Sequence, residues 1–592
     1  MSAICYRAVF AVLGAVLILV PSRVCSLAPS DSWRDADIGQ SSYLGPGHDM
    51  NPDIVDSDAF VRLWDVGFNA SEKVKTQCRF RYGVASASHS KPFQKFYAKP
   101  LVYTPLSGDV QLVFIVSTDN IVRTLDANTG DLIHERVVAE PHPQDALYCT
   151  EVAENIGIVG TPTIDPQTDI AYFYAKSYIP NYRLKNETSA IFNGVYYFYA
   201  IDITTLEDLP GFPILVDGIP ADNDPRKIFI GGTILQRTSL VQVGDFVYAG
   251  FGGLCDQFNY TGTILGVDIK SQKVVSNFAT QAGPESNFSL DWTAWHAGGA
   301  GGIWQSGMGI VSDGDNIYYV TDNGGSSPNH TRPSSGTSSL DLLSETAVKM
   351  SISSTGSLEL VDYFQPYNYL EDEGFDLGSA GFTILPASSF HTPNHPDLAV
   401  VAGKSGKIYI LSPSSLGGYG NGPNNTDAAL QVLPPLPLPD GGSFSNGFFG
   451  GVGAYPLSGD DDVTGGFIYA AAVAQNLVAY EFRVTPSGEV EFVLVGKSVE
   501  VSLDRPGIGI PTITTALDLE SGRAKTESGI VWLTDPTAGL RAWHAIPSEE
   551  GILRSIGLPP VGTTNKFQRP VFGNSRVYII NGEGELICLG VK

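Results

Sequence analysis

The chain has 592 residues, enough for one large repeat assembly or several ordinary domains. It carries 36 basic against 62 acidic residues, a net charge of −26, which argues against nucleic acid and anionic membranes as partners because both would repel it. Charged residues make up only 17% and aromatics 10%, so the chain is not a disordered one, and 65 Gly with 38 Pro indicate many turns.

Met1 to Arg7 carry one early positive charge, an apolar run follows over 8–20, and Val24-Cys25-Ser26 offers small residues for cleavage. The pattern predicts a secretory signal peptide over 1–26. The run is short for a membrane span. No later stretch is apolar enough for one, so no membrane association is expected after cleavage. The expected location is outside the cell or in the lumen of the secretory pathway. Six Asn-x-Ser/Thr sites, at Asn69, Asn186, Asn259, Asn287, Asn329 and Asn424, predict a glycoprotein. Once Cys5 and Cys25 leave with the signal peptide, Cys78, Cys149, Cys255 and Cys588 remain, which allows three pairings in an oxidising compartment. No CxxC or HxxxH spacing is present, so no metal ligand set is predicted.

Residues 27–76 are polar and acidic, and are expected to form an N-terminal surface extension with a short helix near 57–66. From there on the chain reads as strands. A unit returns: x-Pro-x-Val/Ile, then an apolar strand, then Leu-Asp-x-x-Thr-Gly. Its clearest copy runs from Lys99-Pro100-Leu101-Val102 to Thr124-Leu125-Asp126-Ala127-Asn128-Thr129-Gly130. Further openings are Thr161-Pro162-Thr163-Ile164, Ile510-Pro511-Thr512-Ile513 and Arg569-Pro570-Val571-Phe572. A strand-rich unit that returns every ~40–70 residues predicts a propeller or a solenoid. Openings near Lys99, Thr161, Gly231, Gln305, Gly381, Gly450, Ile510 and Arg569 predict an all-β, eight-bladed propeller over 77–592. The last blade reaches only three strands before Lys592. An N-terminal strand over 77–85 is expected to complete it and close the ring. That closure would place Cys78 beside Cys588. Cys149 and Cys255, in loops of adjacent blades, would form the second disulfide.

Residues 124–134 resemble the repeat of quinoprotein alcohol-dehydrogenase-like propellers, Ala-x-Asp-x-x-Thr-Gly-x-x-x-Trp. Gly301-Gly302-Ile303-Trp304-Gln305-Ser306, followed by 317–323, resembles the Gly-Ile-Trp-x-Ser … Tyr-Val-x-Thr-Gly-Asn run of polymer-alcohol dehydrogenases in that group. The resemblance extends over 77–592 as architecture, and a secreted, eukaryotic, fungal-type member is expected. Two departures stand out. His134 occupies the docking Trp position, and no two cysteines are neighbours.

In a propeller, loops between blades and loops joining second to third strands gather on one face, where ligands enter a central funnel. The segment 291–305 holds three of the chain's seven Trp and one of its nine His, spaced by Gly. Trp offers a flat apolar wall and His a proton carrier. The predicted ligand contacts are Trp295, Trp304, Gln305, Asp322 and Phe449. His296 is the candidate proton carrier. Lys99 and Arg569, at equivalent positions of blades expected to be neighbours, are the candidate cations that polarise an oxygen. Gly-x-Ser-x-Gly, His-Glu-x-x-His, phosphate-loop and dinucleotide signatures are absent.

Three readings follow. The first is a monomeric protein that acts on a small organic molecule in the funnel without a redox cofactor, such as a cyclisation or coupling step of a fungal natural-product pathway. The second, implied by the resemblance, is an alcohol or sugar dehydrogenase that uses pyrroloquinoline quinone (PQQ) with Ca²⁺. The third is a non-catalytic interaction scaffold.

Overall fold

The structure is a computed structural model that describes residues 30–68, 94–108, 110–144, 152–291, 294, 297–325, 333–338, 340–369, 376–437, 447–457, 465–503, 506–518, 520, 523–525 and 527–592. Among the described residues, eight sheets of four or five strands, antiparallel except for one parallel outermost strand in each of two, form an eight-bladed propeller in which each apolar repeat forms one blade. The innermost strands, in order, are Leu101–Tyr103, Thr163–Asp165, Ile234–Gln236, Val311–Ser312, Phe382–Ile384, Gly453–Pro456, Thr512–Thr514 and Val571–Gly573. All eight lie within a few residues of the openings read from the repeat.

Blade 1 shows why the sequence reads as it does. Its second strand, Leu112–Val116, is buried throughout, whereas its outer strand, Leu132–Val137, is mostly exposed. A strand covered on both faces by neighbouring blades is a continuous apolar run rather than an alternating one. Aromatic rings fill the wedges between blades. Between blades 2 and 3, Phe251 meets Tyr174 at 5.2 Å, Tyr196 at 5.4 Å and Phe229 at 5.0 Å between centroids. Each such side chain contributes roughly 1.5–3 kcal/mol when fully buried. Trp532, fully buried beside Phe572, satisfies its N–H by donating to Thr514 Oγ1 at 2.7 Å.

The ring closes with a different strand from the one expected. Phe60–Gly67 pairs antiparallel with Glu585–Val591, from Phe60↔Val591 to Gly67↔Glu585. The propeller therefore begins near residue 60. The short helix is Pro52–Val55, and most of 57–66 is strand. Trp64 anchors the closure, its ring 5.8 Å from Tyr578 and against Gly130, where an added Cβ would meet the indole at 2.7 Å. Residues 77–85 and the signal-peptide segment lie outside the described residues.

Residues 30–50 are not a surface extension. They run around the inside of the ring and bond to the free edges of the innermost strands. Ser32 exchanges backbone hydrogen bonds with Val102, and Trp33 O accepts from Ile164. Ile38 O, Gly39 O, Ser41 O and Ser42 O accept from Ser312, Ile384, Ala454 and Ile513 respectively. Innermost strands would otherwise leave edge donors unmet inside the channel. The segment is thus a polar plug whose hydrogen bonds are supplied by the blades.

Candidate functional site

A cavity of about 580 Å³ opens at the end of the channel where the innermost strands begin. Segments leading into these strands supply Tyr97, Ser306, Asp376, Phe449 and Phe567. Loops after the second strands supply Asp256, Asp322, Asn323 and Lys404. These are the two loop sets that a propeller gathers on one face.

Trp304 forms one wall. Its indole lies against Gly252 and Gly302, where an added Cβ would stand 2.3 Å from ring atoms in each case. Its Nε1 donates to Gly253 O at 3.0 Å, which fixes the plane of the ring. Phe449 stacks on Phe567 with centroids 6.1 Å apart. Backbone strain concentrates here. Cys255, Asp256, Ser306, Asp376 and Phe567 all line the cavity with positive φ, at 52°, 51°, 47°, 26° and 62°. Non-glycine residues hold such angles only where the surrounding fold enforces them.

On one side three carboxylates converge. Asp322, Glu345 and Asp376 each place an oxygen within 4.8 Å of the other two. Glu345 Oε2 accepts from Leu377 N at 2.6 Å, and Asp322 Oδ1 from Asn323 N at 3.1 Å. Lys404 pairs with Asp376 and lies 5.1 Å from the centre of the Phe449 ring. Burial, reinforced by the charge of Glu345 and opposed by Lys404, holds the Asp322 carboxyl well above the usual range. Burial likewise pushes Glu345 up to about 7, against the Leu377 N–H and Lys404. Without a cation, Asp322 and Glu345 therefore take up protons more readily than ordinary carboxylates, because burial and crowding disfavour their charged forms.

Trp304, Asp322 and Phe449 of the predicted set meet in this cavity. Gln305 does not reach it. That side chain is fully buried, with Nε2 donating to Gly309 O at 3.0 Å and Oε1 accepting from Val320 N at 2.8 Å. Lys99 and Arg569 do not reach it either, because both are spent on the plug. Lys99 Nζ donates to the Asp35 and Arg34 carbonyls. Arg569 donates to Asp35 at 2.7 Å, Gln40 at 3.1 Å and Ser42 at 3.1 Å. Trp295 and His296 lie outside the described residues. Sequence reading missed Glu345, Asp376, Lys404 and Arg237. Their one detectable signal was position, since all four sit next to an inner, second or third strand.

Cys588 is a buried free thiol, so the expected Cys78–Cys588 bridge is not formed. Its strand is covered by Phe60–Gly67 rather than by the segment that holds Cys78. Cys255 is disulfide-bonded to a partner outside the described residues, where Cys149 also lies. Among the glycosylation sites, Asn186, Asn287 and Asn424 are exposed. Asn259 is buried and its amide donates to Ser289 O at 2.6 Å and Asp291 O at 3.2 Å, so it is not free to carry a glycan in the folded chain. Asn69 and Asn329 lie outside the described residues.

A smaller cavity of about 230 Å³ sits beside blade 3, lined by Phe229, Ile234, Tyr260 and Phe288 among others. Its lysine, Lys227, is committed to the Asn287 and Gly298 carbonyls.

No family model and no curated protein matches the chain. Solved structures do. The chain is similar to quinohemoprotein alcohol dehydrogenase from Comamonas testosteroni, with 12% identity, 96% of this chain and 81% of that one covered, and a TM-score of 0.57. It is similar to quinohemoprotein alcohol dehydrogenase ADHIIG from Pseudomonas putida HK5, with 12% identity, 95% and 80% covered, and a TM-score of 0.52. It is also similar to a europium-containing methanol dehydrogenase, with 14% identity, 94% and 89% covered, and a TM-score of 0.53. At these identities the likeness is one of fold. The chain has the eight-bladed propeller architecture of these dehydrogenases.

Proposed function

We propose that the cavity binds and oxidises a small organic alcohol, with an oxygen-seeking cation held by Asp322, Glu345 and Asp376 and a quinone against Trp304. The observation that carries this reading is the convergence of three carboxylates within 4.8 Å on the wall of a cavity whose other walls are aromatic. Hard cations take carboxylate oxygens, and a flat indole suits a planar ring. The residues present therefore fit both groups. The architecture shared with the two kinds of alcohol dehydrogenase supports the same reading.

When bound, a quinone would supply the two-electron acceptor and the cation would polarise an oxygen of the ligand. The chain's own residues do the rest. Lys404, paired with Asp376 on the cavity wall, would offset part of the negative charge of the cluster and hold that carboxylate in position. Trp304, Phe449 and Phe567 exclude water. The plug closes the channel beneath, so ligand enters from one face.

A route through the secretory pathway belongs to the same proposal. The N-terminal sequence pattern and the exposed acceptors Asn186, Asn287 and Asn424 support it.

Titration of purified protein with Ca²⁺ by calorimetry, then with PQQ by absorption, tests the reading. We expect saturable Ca²⁺ binding that Asp322→Asn and Asp376→Asn abolish, and a Ca²⁺-dependent change in the quinone spectrum. Absence of Ca²⁺ binding to the wild-type protein would overturn it.

A further inference from the structure

Six Lys and Arg side chains are buried among the described residues: Lys99, Arg123, Lys176, Lys227, Arg237 and Arg569. Five of them have oxygen partners. Lys99 and Arg569 hold the plug, and Lys227 holds two carbonyls. Arg123 pairs with Glu135 at 2.6 Å and Gln94 at 2.8 Å. Lys176 donates to the carbonyls of Gly231, Gly232 and Ile234.

Arg237 is the exception. It is 7% exposed and lines the large cavity just beyond the inner strand of blade 3. No described residue gives its guanidinium a hydrogen bond or an ion pair, and Nη2 is buried without a partner. The Tyr97 ring, 5.8 Å away, offers only its face. Asp35, a carboxylate whose charge acts on Arg237, is already taken by Arg569. Space has been left around the group. Gly307 has a φ of +87°, and a Cβ there would stand 2.3 Å from Arg237 Nη1. Burial lowers the affinity of Arg237 for its proton only to about 10, so it is charged at neutral pH.

An uncompensated buried cation is costly, and a protein of net charge −26 has carboxylates to spare for it. None is supplied. We infer that Arg237 is the recognition point for a carboxylate, and that the small organic alcohol bound in the cavity also carries an acid group on an aromatic or unsaturated frame. The guanidinium fork matches a planar carboxylate through two parallel N–H···O bonds. Tyr97, Trp304, Phe449 and Phe567 supply flat apolar walls for the remainder. A single monoanion balances one guanidinium, whereas a phosphate dianion would leave excess negative charge beside Asp256, Asp322 and Asp376. The inference rests on the cavity being the ligand site, and is independent of whether the carboxylate cluster holds a cation.

The test is calorimetric titration with benzoate and with neutral benzamide, in EDTA so that no cation takes part. Wild-type protein should bind benzoate at least tenfold more tightly than benzamide. Arg237→Gln should lose that preference, and Arg237→Lys should keep part of it. Because no described residue is left behind as a partner, Arg237→Gln should melt at the same temperature as wild type or higher. Failure of wild-type protein to prefer benzoate, unchanged preference in Arg237→Gln, or a marked loss of its thermal stability would each overturn the inference. A protein that binds benzoate but not Ca²⁺ would retain this inference and lose the cation reading, and the converse result would do the reverse.

Discussion

Arg569 and Asp35 form an ion pair at 2.7 Å, with both side chains 3% exposed, across 534 residues of chain. The pair ties the plug to the start of blade 8. Removing one partner leaves a buried charge unmatched. Arg569→Ala and Asp35→Ala should each destabilise by about 3–5 kcal/mol, and the double variant by less than their sum. Denaturant unfolding of the three variants measures this.

The plug should also be acid-labile through His48. This imidazole is buried against Phe572, and burial with the nearby Lys99 lowers its pKa from 6.5 to about 4. Between those values the unfolded chain binds the proton and the folded chain does not. Stability from this group is therefore present above pH 6.5 and is lost as pH falls toward 4, by about 3 kcal/mol in all. His48→Phe should flatten the fall in melting temperature across that window relative to wild type.

Trp304 owes its position to glycine. In Gly252→Ala the new methyl would meet the indole at 2.3 Å and tilt it off the wall. Ligand affinity in the cavity should fall roughly tenfold or more, with a stability cost of about 1–3 kcal/mol from overpacking. Titration of the variant with the ligand that saturates wild type checks both effects alongside a melt.

Asp322 should affect stability in opposite directions with and without a cation. Without a cation it is a carboxyl crowded by Glu345 and Asp256, so Asp322→Asn should be at least as stable as wild type. At Ca²⁺ a hundredfold above its dissociation constant, wild type should gain about 2.7 kcal/mol and the variant nothing. Thermal melts with and without Ca²⁺ separate the two.

Cys588 should be inert in the folded protein. It is fully buried, and burial raises the thiol to about 12, so almost no thiolate exists at neutral pH. A thiol reagent should label it only after unfolding, which mass mapping of the labelled peptide would show.

The sequence by itself determined the blades. Each is built from neighbouring residues, so Pro at the opening, the apolar run and the Asp-x-x-Thr-Gly turn all carry local information that survives without the fold. It also determined that Trp304, Asp322 and Phe449 share one face, because equivalent positions in a radial repeat point the same way. What crosses the ring was decided only in three dimensions. Phe60–Gly67 was chosen as the closing strand through contacts of Trp64 with Tyr578 and Gly130, which no spacing in the sequence announces. Residues 30–50 look like a polar surface segment because their hydrogen-bond partners are the inner edges of seven distant strands. Lys99 and Arg569 occupy repeat positions that suit a ligand, yet Asp35 reaches them first. Arg237 looks like any arginine in the sequence, and only the packed structure shows that no described residue pairs with its charge. Charge pairing depends on distances between segments far apart in the chain, and those distances exist only after the blades have closed.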